Sequence, residues 1–336
     1  MANLNLLGLE ETGVAYNLDG LKIQIYSDEN AVGKTKQAMR FPKPLLLMGE
    51  AGGSAIKGYK IPITRKKDFV DVVKQLTDEK TIDQMKEKFQ TIILDCVEDI
   101  ADVYKQAVAQ EYGCRDVGEV QQAQKGNPNG YTLYRTAFKN DINRLCSYGY
   151  TIIFISHGEV IERDDGSTYI QPKGTSNVKD STRFIRDLTD FRFYIKGQGI
   201  DKETNKVVMS VAYCVGTDKF FSGSRFDIVP IVNPFTAENI IKAIEDAQKK
   251  SAEEQGADLV TFARNTSGYT KDDYIESIEP VLTALFEVYP DETIGIVESQ
   301  LGEGVKVTDA RPNQLVELES IYNNLVAFAQ QRGIEW

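Results

Sequence analysis

The chain has 336 residues, 41% of them hydrophobic and 26% charged, which excludes wholesale disorder and suits one large domain or a core with a smaller module. No apolar run reaches the roughly 18 residues that a membrane span requires. A net charge of −11 opposes non-specific binding to nucleic acid or an anionic membrane.

The start, MANLNLLGLEETG, has no basic residues and turns acidic at once, which predicts no secretory leader. Leu21–Ser27 alternates as a strand does and runs into a loop, Asp28–Lys34. Pro44–Met48 reads as a short buried strand stopped by Gly49, Gly52 and Gly53. Asp68–Phe89 carries helix-spaced apolar residues, followed by the strand Thr91–Leu94, helical patterns over Ile100–Gln110 and Leu133–Cys146, and the strand Thr151–Ile155. Short continuous apolar strands separated by helices predict a largely parallel sheet covered on both faces. From Gly158 to Ser181 the pattern lapses, which predicts a long functional loop. Asp190–Ile195, Val207–Val215 and Phe226–Val232 read as antiparallel strands at the sheet edge. A helix over Ala237–Lys250 leads into KKSAEEQGAD, read as a linker, and helices follow near Lys271–Phe286, Glu292–Leu301 and Asn313–Gln331. No internal repeat is evident.

Cys96, Cys114, Cys146 and Cys214 are scattered without a CxxC, and His157 is the single histidine. This composition excludes an ordinary Cys/His zinc site and predicts reduced, cytosolic thiols.

The strongest local signal is DENAVGKT, Asp28–Thr35, between a strand and a helix. A phosphate loop needs inward backbone N–H groups, here from Asn30, Ala31, Val32 and Gly33, a lysine (Lys34) for the β/γ-phosphates, and a hydroxyl (Thr35) for Mg²⁺. Asp28 stands where the first glycine of such a loop belongs. Aspartate tolerates left-handed backbone angles, so the turn stays possible, but its carboxylate and that of Glu29 must point away from a triphosphate. The plain alternative is a strand–helix turn that happens to contain Gly-Lys-Thr. Three further residues sit at or just past strand ends: Glu50, Asp95 and His157. In an open α/β sheet, ligands bind beyond the carboxyl ends of the strands, so these side chains can share one crevice. Singly, Asp95 could cap a helix, Glu50 could be solvated, and His157 could be structural.

In that order, YSDENAVGKT, LLLMGEAGG, TIILDCVED and TIIFISHGE resemble the motifs of RecA-fold ATPases. In particular the chain resembles phage nucleotide-binding proteins related to the Sak-type single-strand annealing recombinases, over residues 21–232. The resemblance implies an α/β fold with a RecA-like, mostly parallel sheet flanked by helices, antiparallel edge strands, and a small helical C-terminal module. Residues 1–255 would be the ATPase core and 256–336 the module. It implies ATP and Mg²⁺ as cofactors, with Lys34 and Thr35 on the phosphates and Mg²⁺ and Asp95 as the second-motif carboxylate. Glu50 would be the general base, and His157 the sensor that relays the γ-phosphate to a DNA-binding loop. It further implies a cytoplasmic protein of an infected host cell, with single-stranded DNA and further copies of itself, in a ring or filament, as partners and no membrane.

Residues 171–196 carry Lys173, Lys179, Arg183, Arg186, Arg192 and Lys196 against three aspartates, a net of +3 in an acidic protein. Tyr169 offers a stacking face and the lysines can meet phosphates, which makes the segment after His157 the candidate DNA surface. A basic run that only guards a strand edge is the alternative. Lys219 and Arg225 read as a solvated hairpin tip, or as residues reaching a neighbour's nucleotide.

Residues 256–336 hold five Lys/Arg against 14 Asp/Glu, a balance of −9 that leaves the rest of the chain at −2. Apolar stripes along Tyr274–Phe286 and Leu315–Phe328 predict a packed helical module rather than a disordered tail. Its acidic face could compete with DNA for the basic segment or dock a replication or recombination protein. Three functions remain: an ATPase acting on DNA, a P-loop scaffold that binds DNA or protein without turnover, and, disfavoured by the lack of a lid-like arginine cluster, a small-molecule kinase.

Overall fold

The computed structural model describes residues 13–50, 56–78, 80–123, 129–174, 182–261, 271–311, 314–334 and 336. Gly13–Ala263 form one compact unit, and the described residues from Lys271 onward belong to a second.

The first unit is built on a 10-stranded sheet. Its middle is parallel: β2 (Lys22–Ser27) lies between β8 (Phe191–Lys196) and β6 (Thr151–Glu162), and the sheet continues through β5 (Thr91–Asp95), β3 (Pro44–Met48) and β4 (Tyr59–Pro62). On the other side β8 pairs antiparallel with β9 (Val211–Tyr213) and with β10 (Gly223–Ser224), and β9 with β11 (Ile231–Val232). The antiparallel edge is therefore present, but its strands are shorter than the apolar runs suggested, and β8 itself runs parallel to β2. Apart from this sheet, β1 (Val14–Tyr16) pairs with β12 (Leu259–Thr261), so the first unit extends past the segment read as a linker.

Period-two alternation divides the strand side chains between two cores. Leu45, Leu47, Ile92, Leu94, Ile152 and Phe154 face α2 (Lys66–Leu76), α4 (Val97–Glu111) and α6 (Gly130–Ser147). Leu46, Ile93, Ile153, Ile155, Ile23 and Ile25 face the opposite way, toward the short α1 (Lys34–Ala38) and α8 (Ala237–Gln255). Each face is sealed, which is why the strands read as unbroken apolar runs.

Three local readings are corrected. The pattern over Asp68–Phe89 forms two helices, α2 and α3 (Ile82–Lys88), because Thr77 and Asp78 interrupt it. The Thr77 hydroxyl bonds the Val73 carbonyl and accepts from Arg144, while Asp78 accepts the Lys80 amide in a turn. The supposed linker after Lys250 is the last part of α8, which keeps Ala252 buried and ends at Gly256 in a left-handed conformation, φ 60°. Of the expected loop from Gly158 to Ser181, the part to Pro172 is a hairpin, in which β6 runs on to Glu162 and pairs with β7 (Thr168–Pro172) around a turn at Asp165 and Gly166, while residues 175–181 lie outside the described residues. The strand-favouring pairs Val160-Ile161 and Tyr169-Ile170, on either side of Asp165-Gly166, carry that hairpin signal.

Short helices α5 (Val120–Ala123) and α7 (Arg183–Leu188) complete the first unit. The second unit packs α9 (Lys271–Phe286), α10 (Pro290–Leu301) and α11 (Leu315–Arg332) around Ile278, Val281, Leu285, Leu318, Ile321 and Leu325. No helix among the described residues is long and apolar enough to cross a membrane.

Phe138 packs against Phe69, Tyr104 and Phe184 with no solvent exposure. Phe138→Ala should lower the unfolding free energy by about 3–5 kcal/mol, read from urea denaturation.

Candidate functional site

Strand register brings the site together. Ser27, the last residue of β2, pairs with His157 on β6; Asp95, the last of β5, pairs with Ile155; Met48, the last of β3, pairs with Asp95. The carboxyl ends of β2, β5 and β3 are thus nearly level, while β6 runs on past them to Glu162, so His157, expected at a strand end, lies within a strand where its neighbours stop. A cavity of about 280 Å³ lies there. Asn30, Ala31, Val32, Gly33, Lys34 and Thr35 line it together with Glu50, Asp95 and His157, so all the residues expected to bind nucleotide or metal or to act catalytically meet in it.

The loop after β2 turns through two left-handed residues, Ala31 (φ 59°) and Gly33 (φ 89°), and Gly33 is the residue from which α1 starts. Asp28 is not in a left-handed conformation. The expected need for one at that position is therefore corrected: the tight turning is done three and five residues later. Both acids of the loop are tied outward. The Tyr194 hydroxyl donates to Asp28 Oδ1 (2.8 Å) and the Gly197 amide to Glu29 Oε2 (2.8 Å), both partners standing at the end of β8 and just beyond it. Neither acid lines the cavity. On the other flank Gly158 passes so close that a Cβ there would lie 2.5 Å from the Asp28 nitrogen, so only glycine fits.

Lys34 is half-buried, and burial holds its ammonium below the usual lysine range, opposed by Cys96, Asp95, Glu98 and Asp28 nearby. Burial likewise raises Asp95, while a hydrogen bond from Thr35 Oγ1 (2.6 Å) acts the other way. A hydroxyl and a carboxylate in contact are hard oxygen donors, the kind Mg²⁺ takes alongside substrate phosphates and water, so these two residues fit that ion.

Two residues escaped the sequence reading. Cys96 is buried against the cavity, its thiol donating to Glu50 Oε1 (3.1 Å) and lying 3.8 Å from His157 Nε2. Glu98, in the first turn of α4, accepts the His157 backbone amide at 2.7 Å and stands 3.5 Å from its Nδ1. That carboxylate raises the imidazole's pKa, against the lowering effect of partial burial, while burial and the neighbouring acids push the Cys96 thiol up. Both residues lie within TIILDCVED, but only the folded pairing of β5 with β6 shows that they touch His157. Although composition excludes an ordinary Cys/His zinc site, Glu50, Cys96 and His157 bring three ligand atoms within 4.8 Å of one another.

The basic segment is only partly assembled for DNA. Lys173 is exposed, and its amide donates to the His157 carbonyl (2.8 Å). Arg183 is exposed at the start of α7. Arg186 instead lies over the Phe221 ring, 4.9 Å from its centre, and pairs with Asp187, leaving its side chain 17% exposed. Lys179 lies outside the described residues. The Arg163 guanidinium covers one face of Tyr169, 4.1 Å from the ring centre. Arg225 pairs with Asp190, and Lys219 is exposed.

Residues 19–226 match the family described as AAA domain. The chain is also 34% identical over 323 residues, 93% of its length and 94% of the relative's, to the SPbeta prophage-derived uncharacterized protein YorG of Bacillus subtilis (strain 168). With a phosphate-type loop, a strand-end aspartate and a mostly parallel sheet beneath both, the chain belongs to the AAA domain family of P-loop ATPases.

Proposed function

We propose that the protein binds and hydrolyses ATP with Mg²⁺, and that it does so as a RecA-like phage protein acting on single-stranded DNA in recombination or replication. The observation that carries this reading is the meeting of Lys34, Thr35, Glu50, Asp95 and His157 around one cavity, in a chain similar to a prophage-derived protein. The outward tethering of Asp28 and Glu29 supports it against the inactive-scaffold alternative, since their charges are held off the cavity wall.

The backbone N–H groups of Asn30–Thr35 and the Lys34 ammonium would bind the phosphates, the ammonium stabilising charge that grows in the transition state. Thr35 and Asp95 would hold Mg²⁺, which when bound neutralises charge on the phosphate oxygens. Glu50, exposed at the cavity mouth, would orient a water and take its proton. His157 would sense the terminal phosphate, and the direct bond from the Lys173 amide to its carbonyl gives that signal a short path into the basic segment. A ring or filament would place several such segments along one strand of DNA, and the acidic second unit would serve a replication or recombination partner.

Lys34→Ala should abolish binding of a fluorescent ATP analogue. Glu50→Gln should keep that binding while phosphate release falls by about 10²–10³-fold. Parent-like hydrolysis in both variants would overturn the assignment.

For DNA, the affinity for a labelled single-stranded oligonucleotide should fall steeply with salt. Replacing Lys173 and Arg183 together by alanine should flatten the log–log slope by about 1.4, since each phosphate contact on a single strand contributes about 0.7. An affinity that does not respond to salt would remove the DNA half of the reading.

A further inference from the structure

Glu50 and Cys96, just past the ends of β3 and β5, and His157, within the adjacent β6, converge with ligand atoms no more than 4.8 Å apart. We propose that they form a second metal site, adjoining the Thr35–Asp95 oxygens with Asp95 Oδ1 3.5 Å from the Cys96 sulfur, that takes a borderline-soft divalent cation of the Zn²⁺ type. Zinc held there withdraws Glu50 from the nucleotide reaction and so inhibits it. The inhibitory half rests on the ATPase reading; the metal site does not.

The sulfur–nitrogen distance suits the ion, and Glu50, exposed on a loop, closes the shell by a side-chain shift. Zn–S near 2.3 Å and Zn–N near 2.0–2.1 Å put tetrahedral S and N ligands about 3.6 Å apart. Cys96 Sγ and His157 Nε2 stand at 3.8 Å, and Cys96 Sγ and Glu50 Oε1 at 3.1 Å. A thiolate, an imidazole and a carboxylate select zinc over Mg²⁺, which favours an all-oxygen shell. Three protein ligands beside a cavity leave a fourth position for water or a phosphate oxygen.

Glu98 supplies an independent observation. It is 9% exposed, and its Oε1 faces the Nδ1 side of His157 at 3.5 Å while also holding the backbone amide; its Oε2 is buried without a hydrogen-bond partner among the described residues. A carboxylate on Nδ1 fixes the proton there and turns the Nε2 lone pair toward Cys96 and Glu50, the orientation that carboxylates impose on metal-binding histidines. The buried carboxylate of Glu98 adds a further attraction for a cation. On binding, the Cys96 proton leaves to solvent, the sulfur and Glu50 Oε1 exchange their mutual hydrogen bond for bonds to the metal, and the oxidation states do not change.

Co²⁺, titrated into the full-length protein without nucleotide, is the probe. The visible bands of tetrahedral cobalt and a near-ultraviolet thiolate-to-cobalt charge-transfer band should saturate at one equivalent, and added Zn²⁺ should bleach them. Cys96→Ser should remove the charge-transfer band, Cys114→Ser should keep it, and Glu98→Gln should weaken zinc by about 10–100-fold in competition with a chromophoric chelator. No thiolate band in the parent, or a band that survives Cys96→Ser, overturns the site; far-ultraviolet circular dichroism confirms that the variants are folded. In the second arm, one equivalent of Zn²⁺ in excess Mg²⁺ should suppress phosphate release, and a zinc-selective chelator should restore it. Cobalt bound with hydrolysis insensitive to zinc overturns inhibition alone. A parent protein that hydrolyses no ATP overturns the ATPase reading and with it the inhibitory half, while the cobalt spectra still decide the site.

Discussion

The hydrogen bond from Thr35 to Asp95 joins two elements that never touch through their strands. Thr35 opens α1 after β2, Asp95 ends β5, and the whole of β6 lies between those strands. The bond depends on β2 and β5 both running parallel to β6 and ending within two residues of one another along it, opposite His157 and Ile155, and their register meets that condition. A slip of one residue in either pairing would turn each strand's side chains to the opposite face and carry Asp95 or His157 away from the loop. The two sealed cores enforce the register. Ile152 and Phe154 are buried against one helical layer and Ile153 and Ile155 against the other, so a slipped strand has no face that tolerates exposure. The site geometry is therefore held by hydrophobic burial on both sides of the sheet, with the polar groups as passengers on strand ends.

Charge is arranged around one ammonium. The charges of Asp95, Glu98 and Asp28 act on Lys34, and Glu50 lines the same cavity. An acid-rich pocket is a poor host for a bare polyphosphate and a good one for a cation, so a nucleotide would enter such a pocket more readily with a cation than without one. Had Asp28 and Glu29 faced inward, this balance would fail, because two more negative charges in a partly desolvated cleft would oppose any anion. Tyr194 and the Gly197 amide remove them, and both come from β8 and its immediate exit. That gives β8, pairing parallel beside β2, a role in the site even though no residue of it lines the cavity.

Much of this was legible in the sequence because it depends on local signals. Gly33-Lys34-Thr35 opening a helix, the apolar runs, and the positions of Glu50, Asp95 and His157 at or near strand ends are all short-range patterns. Cys96 and Glu98 were not legible, since their significance lies in contacts with His157, about 60 residues away in sequence. The hairpin β6–β7 was hidden because its alternation is interrupted by acids that look like loop. Arg186 shows the opposite failure: its charge reads as a phosphate contact, yet Phe221, distant in sequence, covers it with an aromatic face. Composition reports how many cations a segment has; only packing decides which of them remain available.

The hairpin also changes what a sensor could transmit. A flexible loop after His157 would absorb a small movement of the imidazole, whereas a paired strand passes it on. The His157 carbonyl accepts the Lys173 amide, Glu159 receives both Gln171 and the Gly174 amide, and the β6–β7 pairing runs from Gly158–Pro172 to Glu162–Thr168. His157 is thereby tied by backbone hydrogen bonds to the exit of β7, where the basic segment begins. At the same time Gly158 abuts the backbone of the phosphate loop, so the loop and the hairpin are in direct contact at the residue next to the imidazole. One short stretch, His157–Gly158, thus faces the cavity, the phosphate loop and the base of the basic segment together, and coupling among the three requires no longer path than that.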